Sequence, residues 1–192
     1  MVKLQVVNCA VARTLVIISL LFALLLGCVP KANIPRHPGF AALIAQLSED
    51  GGYFPSDNLI SNESGYQKVL EKLDELNVRG GVYIGVGPEQ NFTYIAAVRP
   101  VRAFILDIRR DNLLQHLMFK ALFVTARNRA EYLSLLISRP LKHGSQRLDK
   151  ATMSELVAAF DQTQAHQSQF PANLKKVYHL IENRFGVALT PD

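Results

Sequence analysis

The stretch Gly81-Val82-Tyr83-Ile84-Gly85-Val86-Gly87-Pro88-Glu89-Gln90-Asn91 limits what this 192-residue chain can fold into more than any other segment. Val82, Tyr83, Ile84 and Val86 are β-favouring residues in a short apolar run. Gly85 and Gly87 remove side chains where the backbone must approach something closely, and Pro88 suits the first turn of a helix, where its missing N–H is not needed. The pattern predicts a buried strand, a tight glycine turn and a helix from about Gln90. A second apolar run, Val101 to Ile108, carries Asp107, 22 positions after Gly85. That interval fits a crossover helix and a returning parallel strand. An acid at the end of the second strand can accept hydrogen bonds from ribose hydroxyls, and the first helical turn offers amides to a ligand. The alternative is that the two glycines only let strand and helix pack tightly.

The run Gly80 to Ile95 continues in Ala103-Phe104-Ile105-Leu106-Asp107-Ile108-Arg109-Arg110, in Asn112-Leu113-Leu114 and in Met118-Phe119-Lys120-Ala121-Leu122-Phe123. Together these segments resemble an uncharacterised bacterial family whose fold is similar to the class I S-adenosylmethionine-dependent methyltransferases. The resemblance covers roughly Phe40 to Pro191. It implies a Rossmann-like α/β domain with S-adenosylmethionine as cofactor, Gly85 and Gly87 wrapping its methionine and ribose part and Asp107 holding the ribose hydroxyls. Glu89 and Asn91, in the same turn, are further cofactor-binding candidates. Two departures stand out. Tyr83 and Ile84 occupy the region of the usual acid ahead of the glycine loop, and Pro88-Glu89 replaces a third small residue.

Ahead of the first strand, Tyr53 to Glu63 mixes Tyr53, Phe54, Leu59 and Ile60 with amides, hydroxyls and acids. One reading is a lid over the Gly85 turn, with Asn58 or Asn62 donating to and accepting from a ligand. The other is a surface loop whose Asn and Asp residues cap their own turns. The resembled family shares a similar pattern at Asp57, Asn58, Ser61, Asn62 and Glu63. Arg109 and Arg110 follow Asp107 directly, either as a fork for an anionic substrate group or as partners of Asp107 and Asp111.

The net charge of +5 falls to +3 without residues 1–27, which carry Lys3, Arg13 and no acid. That is too mild and too mixed to predict nucleic-acid binding. Cys9 and Cys28 are the only cysteines, and both lie at the N-terminus, so the body has no disulfide framework and no thiolate chemistry. The five histidines show no HxxH or HExxH spacing, and no metal site is expected. His116, beside apolar helical positions, reads as a half-buried or surface side chain.

Lys3 and Arg13 precede the apolar run Leu15 to Leu26, the pattern of an export signal. The charge-free span Thr14 to Pro30 has 17 residues, at the lower edge of what crosses a hydrocarbon core of about 30 Å. Leu25-Leu26-Gly27-Cys28 resembles a bacterial lipoprotein cleavage box, in which the cysteine is lipidated; an uncleaved span and an ordinary secretory signal are the alternatives. Residues 1–28 are thus read as signal or anchor, 29–39 as a proline-rich tether and 40–192 as the α/β domain, with an exported, membrane-attached location.

Helical spacing predicts helices at Phe40 to Leu47, at Gly65 to Leu76 behind a Ser64/Gln67 capping box, and from Asp111 or Asn112 through Val124. Others are expected around Tyr132 to Ile137, after a Thr152/Glu155 capping box, and from about Pro171, with Gly186 as a C-cap. In the crossover helix Phe92, Ile95, Ala96 and Val98 should be buried, and Lys120 should find an ion-pair partner. Only two strands are legible, fewer than a doubly wound sheet contains. The chain therefore reads as an incomplete, methyltransferase-type parallel sheet with many helices, the N-terminal portion of such a domain. Two functions follow: a methyltransferase-like enzyme or its relic, or a non-catalytic envelope protein that meets a protein partner.

Cell fractionation of the intact gene product is expected to place it in the membrane fraction. Release by Cys28→Ser identifies the lipid as the anchor, retention identifies a span, and a soluble cytoplasmic product with Met1 in place refutes both.

Overall fold

The structure is a computed structural model that describes residues 39–141, 148–164 and 166–189. Cys28, the 14–30 segment, the tether prolines and the Gly144-Ser145 loop lie outside the described residues. In chain order the elements are α1 (Phe40–Leu47), a 3-10 turn (Tyr66–Lys68) leading into α2 (Val69–Glu75), β1 (Val82–Val86), α3 (Gln90–Val98) and β2 (Arg102–Leu106). They are followed by α4 (Arg110–Thr125), α5 (Arg129–Leu136), α6 (Met153–Asp161), α7 (Gln169–His179) and a π-helical turn (Leu180–Arg184).

β1 and β2 pair in parallel, from Val82 opposite Arg102 to Val86 opposite Leu106. They form the only sheet among the described residues. The architecture is α/β: a small, open parallel sheet with flanking helices. The second strand is shorter than the apolar run predicts, because Val101 still belongs to the turn out of α3 and Asp107 already turns toward α4. The crossover helix stops at Arg99, which takes a left-handed conformation (φ 52°) and donates its N–H to the Ile95 carbonyl.

The main core lies where α4 meets the last helical segment. Leu117, Ala121 and Leu122 of α4 bury against Val177, Ile181 and Phe185, with Ile44 of α1 and Leu135 of α5 packed around them. A second, aromatic group joins α3 to α4: Phe92 meets His116, Phe119 and Phe123 edge-on at centroid distances of 5.6, 5.6 and 5.4 Å. Phe123 in turn stacks on Tyr132 of α5 at 4.7 Å. Edge-on pairs set the positive rim of one ring against the negative face of the next.

Several local expectations meet corrections. Ser64 caps nothing: the first turn is 3-10, Gly65 precedes it, and no side chain satisfies its amides. The Thr152/Glu155 box does form, Thr152 N–H donating to Glu155 Oε2 at 2.7 Å and Glu155 N–H to Thr152 Oγ1 at 3.3 Å. Ala96 is exposed and Asn91 takes the buried place on α3, while Val124 at the end of α4 is also exposed. α7 begins at Gln169, two residues before Pro171, so the proline sits in the first turn where its missing N–H has no acceptor to lose. Lys120 makes a cation–π contact instead of an ion pair, its Nζ lying 4.6 Å from the Phe40 ring centre and 5.4 Å from that of Phe185. Its helical neighbours three and four residues away are His116, Leu117, Phe123 and Val124, none of them acidic.

Among the described residues, β1 is covered on one face only. Gly85 is buried and Tyr83 half-buried, whereas Val82, Ile84 and Val86 on the opposite face are 61%, 67% and 70% exposed. Leu106, in register with Val86, is exposed as well.

Candidate functional site

The carboxyl ends of β1 and β2 bring Gly85, Gly87, Glu89, Asn91, Asp107 and Arg109 into one polar cluster. Parallel pairing is the cause, since it puts the residues that follow both strands at the same end of the sheet. Gly87 N–H donates to the Leu106 carbonyl at 2.9 Å, so the glycine turn is tied directly to the segment that carries Asp107.

Asn91 organises the turn from inside. Its side chain is 2% exposed, and its Nδ2 donates to the carbonyls of Val86, Gly87 and Pro88 at 3.1, 3.3 and 2.8 Å. Tyr83 O–H donates to Asn91 Oδ1 at 2.7 Å, and burial pushes the Tyr83 phenol up, which keeps that proton in place. This arrangement explains Gly85: a Cβ there would lie 1.9 Å from Asn91 Oδ1 and 2.7 Å from the Tyr83 ring. Gly87 answers a different demand. Its φ of +82° strains any L side chain, while space around it is open, with Asp107 Oδ2 4.0 Å from a Cβ built there.

Asp107 is held by its own chain. Its Oδ1 accepts from Arg109 N–H at 2.8 Å and Arg109 Nε at 3.1 Å, and its Oδ2 accepts from Arg109 Nη2 at 3.3 Å and from Asn112 Nδ2. A carboxylate offers about four lone-pair sites, and these four donors take them all. Burial pushes the Asp107 carboxyl upward, but the Arg109 side-chain and backbone bonds, the Asn112 bond and the Arg109 charge together outweigh it and hold the group below its ordinary range. Ribose hydroxyls could bind here only by displacing one of these donors.

The loop Tyr53 to Glu63 is fastened over this end of the sheet. Glu89 accepts Ser61 N–H with both carboxylate oxygens, at 3.0 and 3.1 Å. Arg109 Nη1 donates to the Asn58 carbonyl at 2.6 Å, and its guanidinium lies 5.0 Å from the centre of the Phe54 ring. Asn58 also caps its own turn, its Oδ1 accepting Ile60 N–H at 3.1 Å. The self-capping reading of the loop holds at Asn58, and the loop is tied to this end of the sheet through Ser61 and the Asn58 carbonyl. Asn62 is exposed, outside the polar cluster. Arg110, the first residue of α4, lines an open pocket of about 690 Å³ with Arg109, Gly52, Phe54 and Asp57. That pocket neighbours the turn and does not include Gly85 or Gly87.

Sequence reasoning missed two members of the cluster. His116 reaches across with Nε2 3.0 Å from the Gly87 carbonyl, and Asn112, fully buried, holds Asp107. They lie one turn apart on α4, so the four-residue spacing already puts them on one face. Asn112 Oδ1, His116 Nδ1 and Ser61 Oγ are buried with no protein partner. No group of three or more His, Cys, Asp or Glu among the described residues is arranged to hold a metal ion, and no helix there is long and apolar enough to cross a membrane.

Residues 58–187 match the family described as Domain of unknown function (DUF7790), and the chain belongs to that family. Its matched span contains both strands, the glycine turn and the Asp107 segment. No curated protein and no solved structure matches this chain.

Two expectations follow for stability. Gly85→Ala should destabilise the fold by about 1–3 kcal/mol through overpacking, with further loss as the Asn91 bonds break. Gly87→Ala should cost only the left-handed penalty of about 1–2 kcal/mol. Urea unfolding followed by circular dichroism gives the order, and equal effects would contradict this account of Gly85. The second concerns pH. The unfolded Asp107 carboxyl takes up its proton first as pH falls, so its contribution is complete above the ordinary carboxylate range and disappears as pH drops toward the lower folded value. Asp107→Asn should flatten the acid limb of the stability curve; an unchanged slope would show that other carboxylates set it.

Proposed function

We propose that this chain is a non-catalytic interaction module, exported and attached to the membrane through Cys28 or the 14–30 segment. One observation carries the reading: Asp107, Glu89, Asn91 and Arg109 at the carboxyl end of the sheet are engaged by partners within the chain, while an apolar face of the same sheet is left in water. Asp107, Glu89, Asn91 and Arg109 each have intramolecular partners that account for their identity. A face of β-branched and aliphatic side chains rimmed by polar residues is the kind of surface that protein partners cover. The signal-like N-terminus supports the location, and S-adenosylmethionine is a cytoplasmic metabolite, which weighs on the same side.

The second reading is an S-adenosylmethionine-binding domain, with methyl transfer resting on in-line positioning rather than on acid or base groups. It is supported by the placement of Gly87 and Asp107 side by side, and by buried Asn112 Oδ1 and His116 Nδ1, which retain hydrogen-bonding capacity. Gly85, Gly87 and Asp107 would hold the cofactor, with Asn58, Asn62, Glu89 and Asn91 around it and Arg109 and Arg110 toward an anionic substrate.

Titration calorimetry of the full chain with S-adenosylmethionine separates the two. The interaction module gives no saturable heat. Saturable binding that Asp107→Ala weakens, with circular dichroism unchanged, would overturn it in favour of the cofactor site.

A further inference from the structure

We infer that residues 53–63 form a strap that opens on its own, without unfolding of the rest, and that while closed it withholds Arg109 and Glu89 from any outside ligand. The inference concerns how this end of the sheet is controlled and rests on neither reading of its function.

Both ends of the strap are pinned. Before it, Gly52 N–H donates to the Ile108 carbonyl at 2.8 Å, and a Cβ on Gly52 would lie 2.5 Å from Ile108 Cγ1, so the backbone comes too close there for a side chain. After it, the Tyr66 carbonyl accepts the Tyr94 hydroxyl at 3.0 Å, and the two rings meet edge-on at 6.4 Å. Between these points two side chains hold the strap by its main chain. Glu89 accepts Ser61 N–H, and Arg109 Nη1 donates to the Asn58 carbonyl, with the Phe54 ring against the same guanidinium.

Hydrophobic burial adds little to this hold. Tyr53, Phe54 and Ile60 are exposed, and Leu59 is half-buried. A segment with few buried apolar contacts opens locally, at a free energy below that of global unfolding. Its own bonds travel with it: Ser56 Oγ accepts Asn58 N–H and Asn58 Oδ1 accepts Ile60 N–H, both at 3.1 Å, so this turn lifts as a unit. Closure also carries a cost at Ser61, whose hydroxyl is buried with no protein partner. Water satisfies that hydroxyl once the strap lifts. Opening changes what the polar cluster can bind, because the Arg109 donor and the Glu89 acceptor exchange a carbonyl and an amide of the strap for water. While the strap is closed, no outside group can take those two positions.

Hydrogen exchange of the purified full chain in non-ionic detergent, read at single amides by mass spectrometry, tests this. The Ser61 amide is expected to exchange on the order of 100-fold faster than the Gly87 amide of the glycine turn, at a rate that dilute urea leaves unchanged, since local opening exposes little surface. Two variants should move it in opposite directions and leave Gly87 alone. Glu89→Gln replaces an ionised acceptor with a neutral one and should speed exchange at Ser61 about tenfold. Ser61→Ala removes the unsatisfied hydroxyl and should slow exchange at residue 61 about tenfold, after correction for the intrinsic rates of the two residues. Wild-type Ser61 exchanging at the Gly87 rate, or rising with urea in step with it, overturns the inference, because the strap then opens only with the whole fold. Equal acceleration of both amides by Glu89→Gln in a folded protein overturns it too. Should Glu89→Gln fail to fold, Ser61→Ala decides: slower exchange at residue 61 supports the strap, and unchanged or faster exchange overturns it.

Discussion

The carboxamide of Asn91 inside the glycine turn is the interaction on which the sheet end depends. One buried side chain closes the carbonyls of Val86, Gly87 and Pro88 and accepts the Tyr83 hydroxyl. A buried carbonyl without a partner carries a desolvation penalty of about 1–3 kcal/mol, so these bonds permit a turn this tight to lie against α3. They also exclude a side chain at residue 85 and fix where Gly87 points. The Gly87 N–H then ties the turn to the end of β2, and His116 meets the Gly87 carbonyl from α4. The two strands, the crossover helix and the following helix therefore share a single hydrogen-bonded joint.

That joint changes the meaning of the residues around it. A glycine near the end of a parallel strand commonly signals close approach of a ligand. Here the group that approaches Gly85 is Asn91 of the same chain. Asp107, expected from the sequence to accept ribose hydroxyls, receives Arg109 and Asn112. Arg109 connects Asp107 to the covering loop through Asn58 and Phe54. Glu89 holds the loop at a second point through Ser61. The polar cluster behaves as a fastening between the sheet and the loop above it.

Much of the framework was legible from residue type and spacing. Val82 to Val86, the helix from Gln90, the return at Arg102 to Leu106 and the helices at Phe40 and Met153 follow from apolar periodicity and caps, which are local properties. Contacts between distant segments were not legible. Nothing in the sequence around Glu89 names Ser61 as its partner, and nothing near Lys120 names Phe40 or Phe185. Ala96 was expected inside because it is apolar, yet the interior place belongs to Asn91, whose polarity is satisfied only by a turn geometry that no spacing rule encodes. The Ser64 pattern failed for a local reason: the chain opens with a 3-10 turn at Tyr66, so the capping positions fall out of phase.

Phe40 and Phe185 meet edge-on at 5.9 Å, with Lys120 over both rings and Ala41 Cβ 3.6 Å from where a Cβ on Gly186 would stand. α1 has no fully buried residue of its own, and an isolated eight-residue helix is marginal in water. Its docking surface is assembled from residues far along the sequence, Lys120, Phe185 and Gly186. During synthesis the first helix must therefore wait until residues as far along as Gly186 have left the ribosome, and throughout that interval it stays open to whatever machinery handles the nascent chain.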